Sequence, residues 1–267
     1  MTEKKRKPQE EEESIFIETE EEFKAPEEIT EVKSEVFIKE GWKPKTEIGK
    51  KVSTGEINDI DLILDEGKKI LEAEITDTLL PGLETELLMI GQAKGKFGGG
   101  QKRVFQQTQK KTAEGNKPSF ATMAIVGNKN GYVGMGYGKS RETVPAREKA
   151  IRKAKMNIMK IKRGCGSWQC GCKNPHSIPF KIHGKCGSVE ITLIPAPKGT
   201  GLIVEKECQR ILGLAGIKDV WSKTKGHSKT KVNLIKACLT ALEKLMETKI
   251  PSKVNEPLGI IEGRIHG

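Results

Sequence analysis

Three cysteines and a histidine fall within twelve residues of this 267-residue chain, as Cys165, Cys170, Cys172 and His176. Three thiolates and one imidazole match the ligand set and tetrahedral preference of zinc. Gly164, Gly166 and Gly171 leave the segment free to wrap around an ion. The spacing, C-x4-C-x-C-x3-H, is not that of a common zinc finger. Two readings therefore stand side by side: a zinc loop, or free thiols in a connector of which only some could ligate. The start of the chain, Met1-Thr2-Glu3-Lys4-Lys5-Arg6, lacks the apolar stretch of an export signal, and a reducing compartment is expected. There, close cysteines bind metal more often than they form disulfides. Cys186, Cys208 and Cys238 sit in apolar surroundings and read as small core residues. His183, His227 and His266 are too scattered to suggest catalysis.

A second chemical motif fails on inspection. Gly134-Met135-Gly136-Tyr137-Gly138-Lys139-Ser140 resembles a phosphate-binding loop, but the spacing would require glycine where Val133 stands. The glycines also fall inside an expected strand, and no acidic residue follows at dinucleotide-binding distance. Nucleotide hydrolysis is disfavoured. The glycines instead allow a close backbone approach, by protein or RNA.

Charge separates the chain into unlike parts. Residues 1–40 hold 14 Glu against six Lys and one Arg, a net of −7, so the remainder carries +18 of the overall +11. Such a tail cannot bury enough apolar area to offset its ordering entropy, and residues 1–41 are expected to be disordered. From Ala93 to Arg163 there are 18 Lys or Arg and three Glu. Packing so much like charge together is repaid by neutralising phosphates, which points to a nucleic-acid footprint. The overall basic charge favours an anionic partner, nucleic acid or an acidic membrane surface. No apolar run reaches the ~18 residues of a membrane span, which excludes an integral membrane protein, and with the nucleic-acid footprint favoured no membrane partner is expected.

The elements that would position these groups can be sketched from periodicity. Trp42 begins a helical extension over 42–84, with apolar residues at Asp59–Leu64 and Ile70–Leu80 and a stop at Pro81-Gly82. Phe120–Val126 and Tyr132–Tyr137 read as strands joined by the Asn128-Lys129-Asn130-Gly131 turn. A helix is expected from Thr143 to Ile161, with Ile151, Ala154, Ile158 and Ile161 as its buried stripe. Beyond the cysteines come a strand at Gly187–Ile194, a helix at Ile203–Leu214, a strand at Asp219–Lys223 and a helix at Val232–Met246. Residues 248–267 carry no pattern and read as a tail, with Ile261-Glu262-Gly263-Arg264 either native or an engineered remnant.

The run Ala124–Lys139 closely resembles the family of the fifth small-subunit ribosomal protein, universal S-five. So do Arg163–His176, Gly187-Ser188-Val189, Leu193–Leu202 and Leu214–Val220, and together the resemblance covers roughly residues 42–247. Arg163-Gly164-Cys165-Gly166-Ser167-Trp168 and Leu79-Leu80-Pro81-Gly82-Leu83 look archaeal rather than bacterial. The acidic tail and the Gly98-Gly99-Gly100 insertion depart from the family pattern.

The resemblance implies an α+β protein: a double-stranded-RNA-binding-like α/β domain over 85–162, a Cys-rich connector over 163–176, and a β-α-β-α two-layer sandwich over 177–247. It implies no catalysis and no small-molecule substrate. It implies a cytoplasmic, ribosome-bound protein whose partners are small-subunit rRNA, neighbouring ribosomal proteins, and mRNA where it enters the subunit, with a role in decoding accuracy. Carried over by position, Gln109–Lys117 matches a long RNA-inserting loop, which nominates Lys110, Lys111 and Lys117 for rRNA contact. Lys129, Asn130, Lys139 and Arg141 lie on or beside the matching hairpin, and Arg163 and Lys198 on matching loops. Glu190 matches a region facing a neighbouring protein. The rival is a zinc-containing RNA-binding regulator not permanently bound to ribosomes.

Overall fold

The computed structural model describes residues 42–93, 95 and 102–264. The expected disordered segment 1–41 and the Gly98–Gly100 insertion lie outside the described residues. Trp42 opens the described chain, and its indole donates to Glu72 Oε2 at 2.8 Å. Three short helices follow: α1 (Glu47–Ser53), α2 (Ile60–Asp65) and α3 (Ala73–Leu79). Helices this short are marginal alone. They are held by a shared apolar cluster in which Val52, Ile60, Ile63 and Ile75 pack with Tyr132 and Ile158.

The first sheet has five strands: β1 (Glu84–Leu88), β2 (Gln106–Thr112), β3 (Gly115–Gly127), β4 (Tyr132–Ser140) and β5 (Ile158–Lys160). All its pairings are antiparallel, and both β1 and β2 lie against β3, β1 on residues 123–127 and β2 on 115–121. Alternation along β3 assigns two faces: Ala124 and Val126 join one cluster, Met123 and Ile125 another. The first face takes α4 (Thr143–Met156) at unusually close range. A Cβ on Gly134, Gly136 or Gly138 would stand 2.3, 2.0 and 2.1 Å from the carbonyl oxygens of Ala154, Ala150 and Ala146. Glycine on the strand and alanine at four-residue steps on the helix let the two backbones touch. The backbone that approaches is therefore the protein's own.

Two expectations about this half are corrected. The helix ends at Met156, not Ile161; Ile158 and Ile161 extend the helical spacing but lie on and beyond β5. The buried stripe of α4 is Ala146, Ala150 and Ala154, while Ile151 is only partly buried.

A two-residue strand, β6 (Lys162–Arg163), leads into the cysteine segment. The second sheet contains β7 (Ile182–Cys186), β8 (Val189–Pro195) and β9 (Leu202–Ile203), followed by α5 (Lys206–Leu214), then β10 (Val220–Lys225) and α6 (Lys231–Glu247). The strand order is β7-β8-β10-β9, with only β9 and β10 parallel. The expected single strand at Gly187–Ile194 is thus one arm of a hairpin that turns at Gly187, where φ is +62°. A single core joins the halves: Leu88, Met123, Ile125 and Val133 of the first sheet pack with Ile191 and Leu193 of the second sheet, Ile211 of α5 and Leu234 of α6. Cys208 and Cys238 are fully buried there, and Cys186 is half-buried at the end of β7.

The junction is also hydrogen-bonded. Backbone N–H groups of Lys129 and Gly131, in the turn between β3 and β4, donate to the carbonyls of Leu214 (2.8 Å) and Ala215 (3.2 Å). A turn of one half thereby supplies donors to the carbonyls that the end of α5 leaves open. Lys129 adopts φ +57° to do so, and Asn128 Oδ1 accepts from Asn130 N at 2.8 Å to hold the turn.

The C-terminal segment is not a loose tail. After α7 (Ser252–Leu258) comes β11 (Ile261–Glu262), which pairs antiparallel with β6. Cys165 N donates to Leu258 O at 2.8 Å, and Gly263 N to Ile161 O at 3.1 Å. Residues 252–264 therefore strap the cysteine segment to the first sheet.

Candidate metal centre and nucleic-acid surface

The strap, β6 and the second sheet converge on Cys165, Cys170, Cys172 and His176, whose ligand atoms all lie within 4.8 Å of one another. Cys165 Sγ and Cys172 Sγ are 3.6 Å apart, and Cys170 Sγ lies 3.8 Å from His176 Nε2. Zinc–sulfur bonds of about 2.3 Å and zinc–nitrogen bonds of about 2.0 Å give tetrahedron edges of roughly 3.5–3.8 Å. The donor set and its spacing fit such an ion. Gly166 is needed for the fold of the segment, since a Cβ there would stand 2.0 Å from Pro179 O.

The histidine is oriented from behind. Its Nδ1 lies 2.8 Å from Asp219 Oδ2, and both groups are buried. With Nδ1–H donating to the carboxylate, Nε2 presents its lone pair to the cysteines, as in metal sites where a carboxylate fixes the tautomer of a ligand. Asp219 Oδ1 meanwhile accepts from Gly199 N (3.1 Å) and Gly201 N (2.8 Å), so one carboxylate ties the ring to the Pro197–Gly201 loop. The thiols are not equivalent. Burial pushes Cys165 up to about 11, helped by the neighbouring sulfurs. Backbone N–H groups of Lys198 and Cys172 bring Cys170 down to about 6, well into the range of a ready thiolate. Trp168, on the same loop, is 91% exposed, so it does not hold the loop closed.

The residues nominated for RNA contact fall in three places. Lys110, Lys111 and Lys117 lie on a two-stranded arm, because β3 residues 115–119 pair with β2 alone. What the sequence presents as a loop, Gln109–Lys117, is thus mostly a hairpin. The arm is polar on both faces and would be marginal alone. Lys110 stands directly opposite Lys117, a cross-strand like-charge pair that costs stability unless an anion lies nearby. Glu114 takes Lys117 at 2.7 Å, whereas Lys110 and Lys111 have no ion-pair partner among the described residues. Lys139 and Arg141 are exposed at the end of β4. Of the basic residues in and after α4, Lys155 and Lys160 are occupied by Asp77 (2.5 Å) and Asp65 (2.6 Å) of the N-terminal helices.

The third group surrounds the junction: Lys129, Asn130, Arg163 and Lys198. Lys129 pairs with Glu84 at 2.5 Å, and Lys198 is exposed. Arg163, expected on a loop in contact with rRNA, instead ends β6 and is 3% exposed, its Nη2 donating to Asn130 Oδ1 at 2.8 Å and Gly263 O at 2.9 Å. Glu190, expected at a protein interface, is bonded to Lys185 across the β7–β8 hairpin at 3.1 Å, and that lysine holds its carboxyl below the usual range. Lys218 and Asp219 lie in the Leu214–Val220 run that carries the resemblance, but residue type and spacing give neither a role in the site. A lone acidic residue at the start of a strand carries no signal until the fold brings it to His176. No helix among the described residues is long and apolar enough to cross a membrane.

Comparison with known proteins assigns both halves of the chain to one family. Residues 101–162 match the family model for the ribosomal protein S5 N-terminal domain, and residues 184–254 that for its C-terminal domain. The chain is similar to small ribosomal subunit protein uS5 of Methanocaldococcus jannaschii, 49% identical over 84% of this chain and 96% of the relative. It is 48% identical to the uS5 of Nanoarchaeum equitans over 85% of this chain and 97% of the relative. The uS5 of Methanosphaera stadtmanae is 46% identical over 85% and 93%. With identity this high across both halves, the chain belongs to the ribosomal protein S5 family, and it is a structural ribosomal protein rather than an enzyme.

Proposed function

We propose that the chain is an rRNA-binding constituent of the small ribosomal subunit that carries one structural zinc ion. The observation that carries the RNA reading is the polar two-stranded arm, where Lys110 faces Lys117 and, with Glu114 taken by Lys117, Lys110 and Lys111 have no ion-pair partner among the described residues. An arm without an apolar face is stabilised by what it docks into, and phosphates supply the missing charge. Lys139, Arg141 and Lys198 extend the contact. Glu190 sits on an exposed hairpin that faces a neighbouring ribosomal protein. Through these contacts the protein supports decoding accuracy and borders the path by which mRNA enters the subunit. It resides in the cytoplasm on the ribosome. The regulator alternative is not favoured, because the uS5 relatives match both halves of the chain.

The zinc reading rests on Cys165, Cys170, Cys172 and His176, with ligand atoms within 4.8 Å of one another and Asp219 behind the histidine. The ion would be structural: four protein ligands leave no open position, and the bound metal would brace the segment between the two sheets.

Two measurements test these readings. Lys110→Ala with Lys111→Ala should weaken binding to a structured RNA and lower the salt slope of log K by about 0.7–0.9 for each phosphate no longer neutralised. An unchanged slope contradicts the arm as an RNA-binding element. Metal analysis of the purified chain should find one zinc that disappears with Cys170→Ser and Cys172→Ser; a count unaffected by those changes contradicts the metal site.

A further inference from the structure

The three cysteines of the candidate metal centre differ in how they are held. Cys165 is 3% exposed and its backbone is fixed, its N–H donating to Leu258 O at 2.8 Å and the next N–H, of Gly166, to Ile178 O at 3.2 Å. Cys170 and Cys172 are half-buried. A Cβ on the intervening Gly171 would meet nothing within 4 Å, so this outer part of the segment has room to move. Trp168 is turned to solvent, and an open cavity of about 400 Å³ lined by Asn174, Pro175, His176 and Lys198 adjoins the ligands. Small polar solutes therefore reach the outer sulfurs of the folded chain.

The sulfurs are also unequally paired. Cys172 Sγ lies 3.6 Å from Cys165 Sγ, in direct contact, whereas Cys170 Sγ lies 3.8 Å from His176 Nε2. One thiol that solvent reaches thus stands against one that is buried and anchored, the arrangement of an attacking and a resolving cysteine. The remaining thiols are placed otherwise. Cys208 and Cys238 are fully buried in the core, and Cys186 is half-buried at the end of β7.

We infer that this segment is a redox-sensitive clasp: hydrogen peroxide joins Cys165 and Cys172 in a disulfide and so releases the zinc. The inference rests on the zinc reading above and goes beyond it to how the site is opened. The Cys172 thiolate attacks one peroxide oxygen, and the O–O bond breaks to leave a sulfenic acid and a hydroxide. The Cys165 thiolate then attacks that oxidised sulfur, forming the S–S bond and expelling a second hydroxide. Two thiolates lose two electrons, and one peroxide takes them up. Cys170 and His176 remain, two ligands where a closed structural site needs four. The brace between the two sheets is lost with the metal, and a dithiol reductant with zinc restores both.

The test treats the full, zinc-loaded chain with hydrogen peroxide and follows two readouts. A chromophoric chelator reports zinc release, and alkylation with peptide mass mapping locates the disulfide. One zinc per chain should be released as a disulfide forms between Cys165 and Cys172, and dithiothreitol with added zinc should reverse both changes. Cys186→Ser should alter neither readout. Release accompanied by a disulfide between Cys170 and Cys172, or by sulfinic acid without any disulfide, overturns the inference. Zinc that stays bound while the thiols stay reduced also overturns it, but leaves the zinc reading standing. A chain that takes up no zinc before treatment overturns the zinc reading, and the clasp with it.

Discussion

Replacing Asp219 by asparagine exchanges one oxygen for an amide nitrogen and should reverse a tautomer. Asp219 Oδ1 accepts from Gly199 N and Gly201 N, so in Asp219→Asn the amide oxygen has to keep that position. The amide nitrogen then faces His176 Nδ1, where the carboxylate had accepted at 2.8 Å. Two donors cannot share that contact. The imidazole must accept at Nδ1 and carry its proton on Nε2, the nitrogen that lies 3.8 Å from Cys170 Sγ and would meet the metal. Loss of such an orienting carboxylate typically costs 10–100-fold in metal affinity, about 1.4–2.7 kcal/mol. Competition for zinc against a chromophoric chelator reads the affinity, and the melting temperature of the metal-free protein controls for folding. A metal-free chain that melts as before but binds zinc 10–100-fold more weakly is the expected result. Equal zinc affinity in the two proteins, or an effect confined to the metal-free melting temperature, would refute the argument from the tautomer.

The contact between β4 and α4 predicts an asymmetry among glycines. Gly136→Ala drives a Cβ to within 2.0 Å of Ala150 O and 2.3 Å of Ala154 N, so it should destabilise by about 3 kcal/mol, the upper end for overpacking, by denaturant unfolding. Gly213→Ala, in α5 with nothing within 4 Å, should instead stabilise by about 0.5–1 kcal/mol. Acid should loosen the N-terminal helices first. Burial raises the Glu72 pKa, but hydrogen bonds from Thr46 N, Lys45 N and the Trp42 indole outweigh it and leave the group below its ordinary value of 4.5. A depressed carboxyl contributes stability that is full above its unfolded pKa and is lost as pH falls through the folded one. The Trp42 indole N–H resonance should therefore hold its position down to about pH 4.5 and shift only below it; movement nearer neutrality would contradict this.

What can be read from the sequence divides along physical lines. The Asn128–Gly131 turn, the β3 and β4 strands and α6 are legible because turn chemistry and apolar periodicity agree there. The end of α4 is not, since Ile158 and Ile161 fall by chance at helical steps from Ala154, while the true stripe is alanine and carries little hydrophobic signal. β2 is invisible for a different reason: Gln106–Thr112 is polar on both faces, so no alternation marks it. Residue type and spacing pick out all four candidate metal ligands. They do not pick out Asp219, which orients one of them, because it lies 43 residues further on and only the fold joins the two. The family resemblance puts Arg163 on an RNA-contacting loop, and its burial by the returning β11 segment cannot be inferred from a tail without periodicity.

Sedimentation decides whether this chain is a permanent part of the small ribosomal subunit. Ribosomes from cells expressing the tagged full chain are washed at high salt and their subunits separated on a gradient. One copy of the chain should remain per small subunit after the wash, with none in the free pool beyond newly made protein. A chain that washes off into the soluble fraction, or that is substoichiometric on the small subunit, contradicts it.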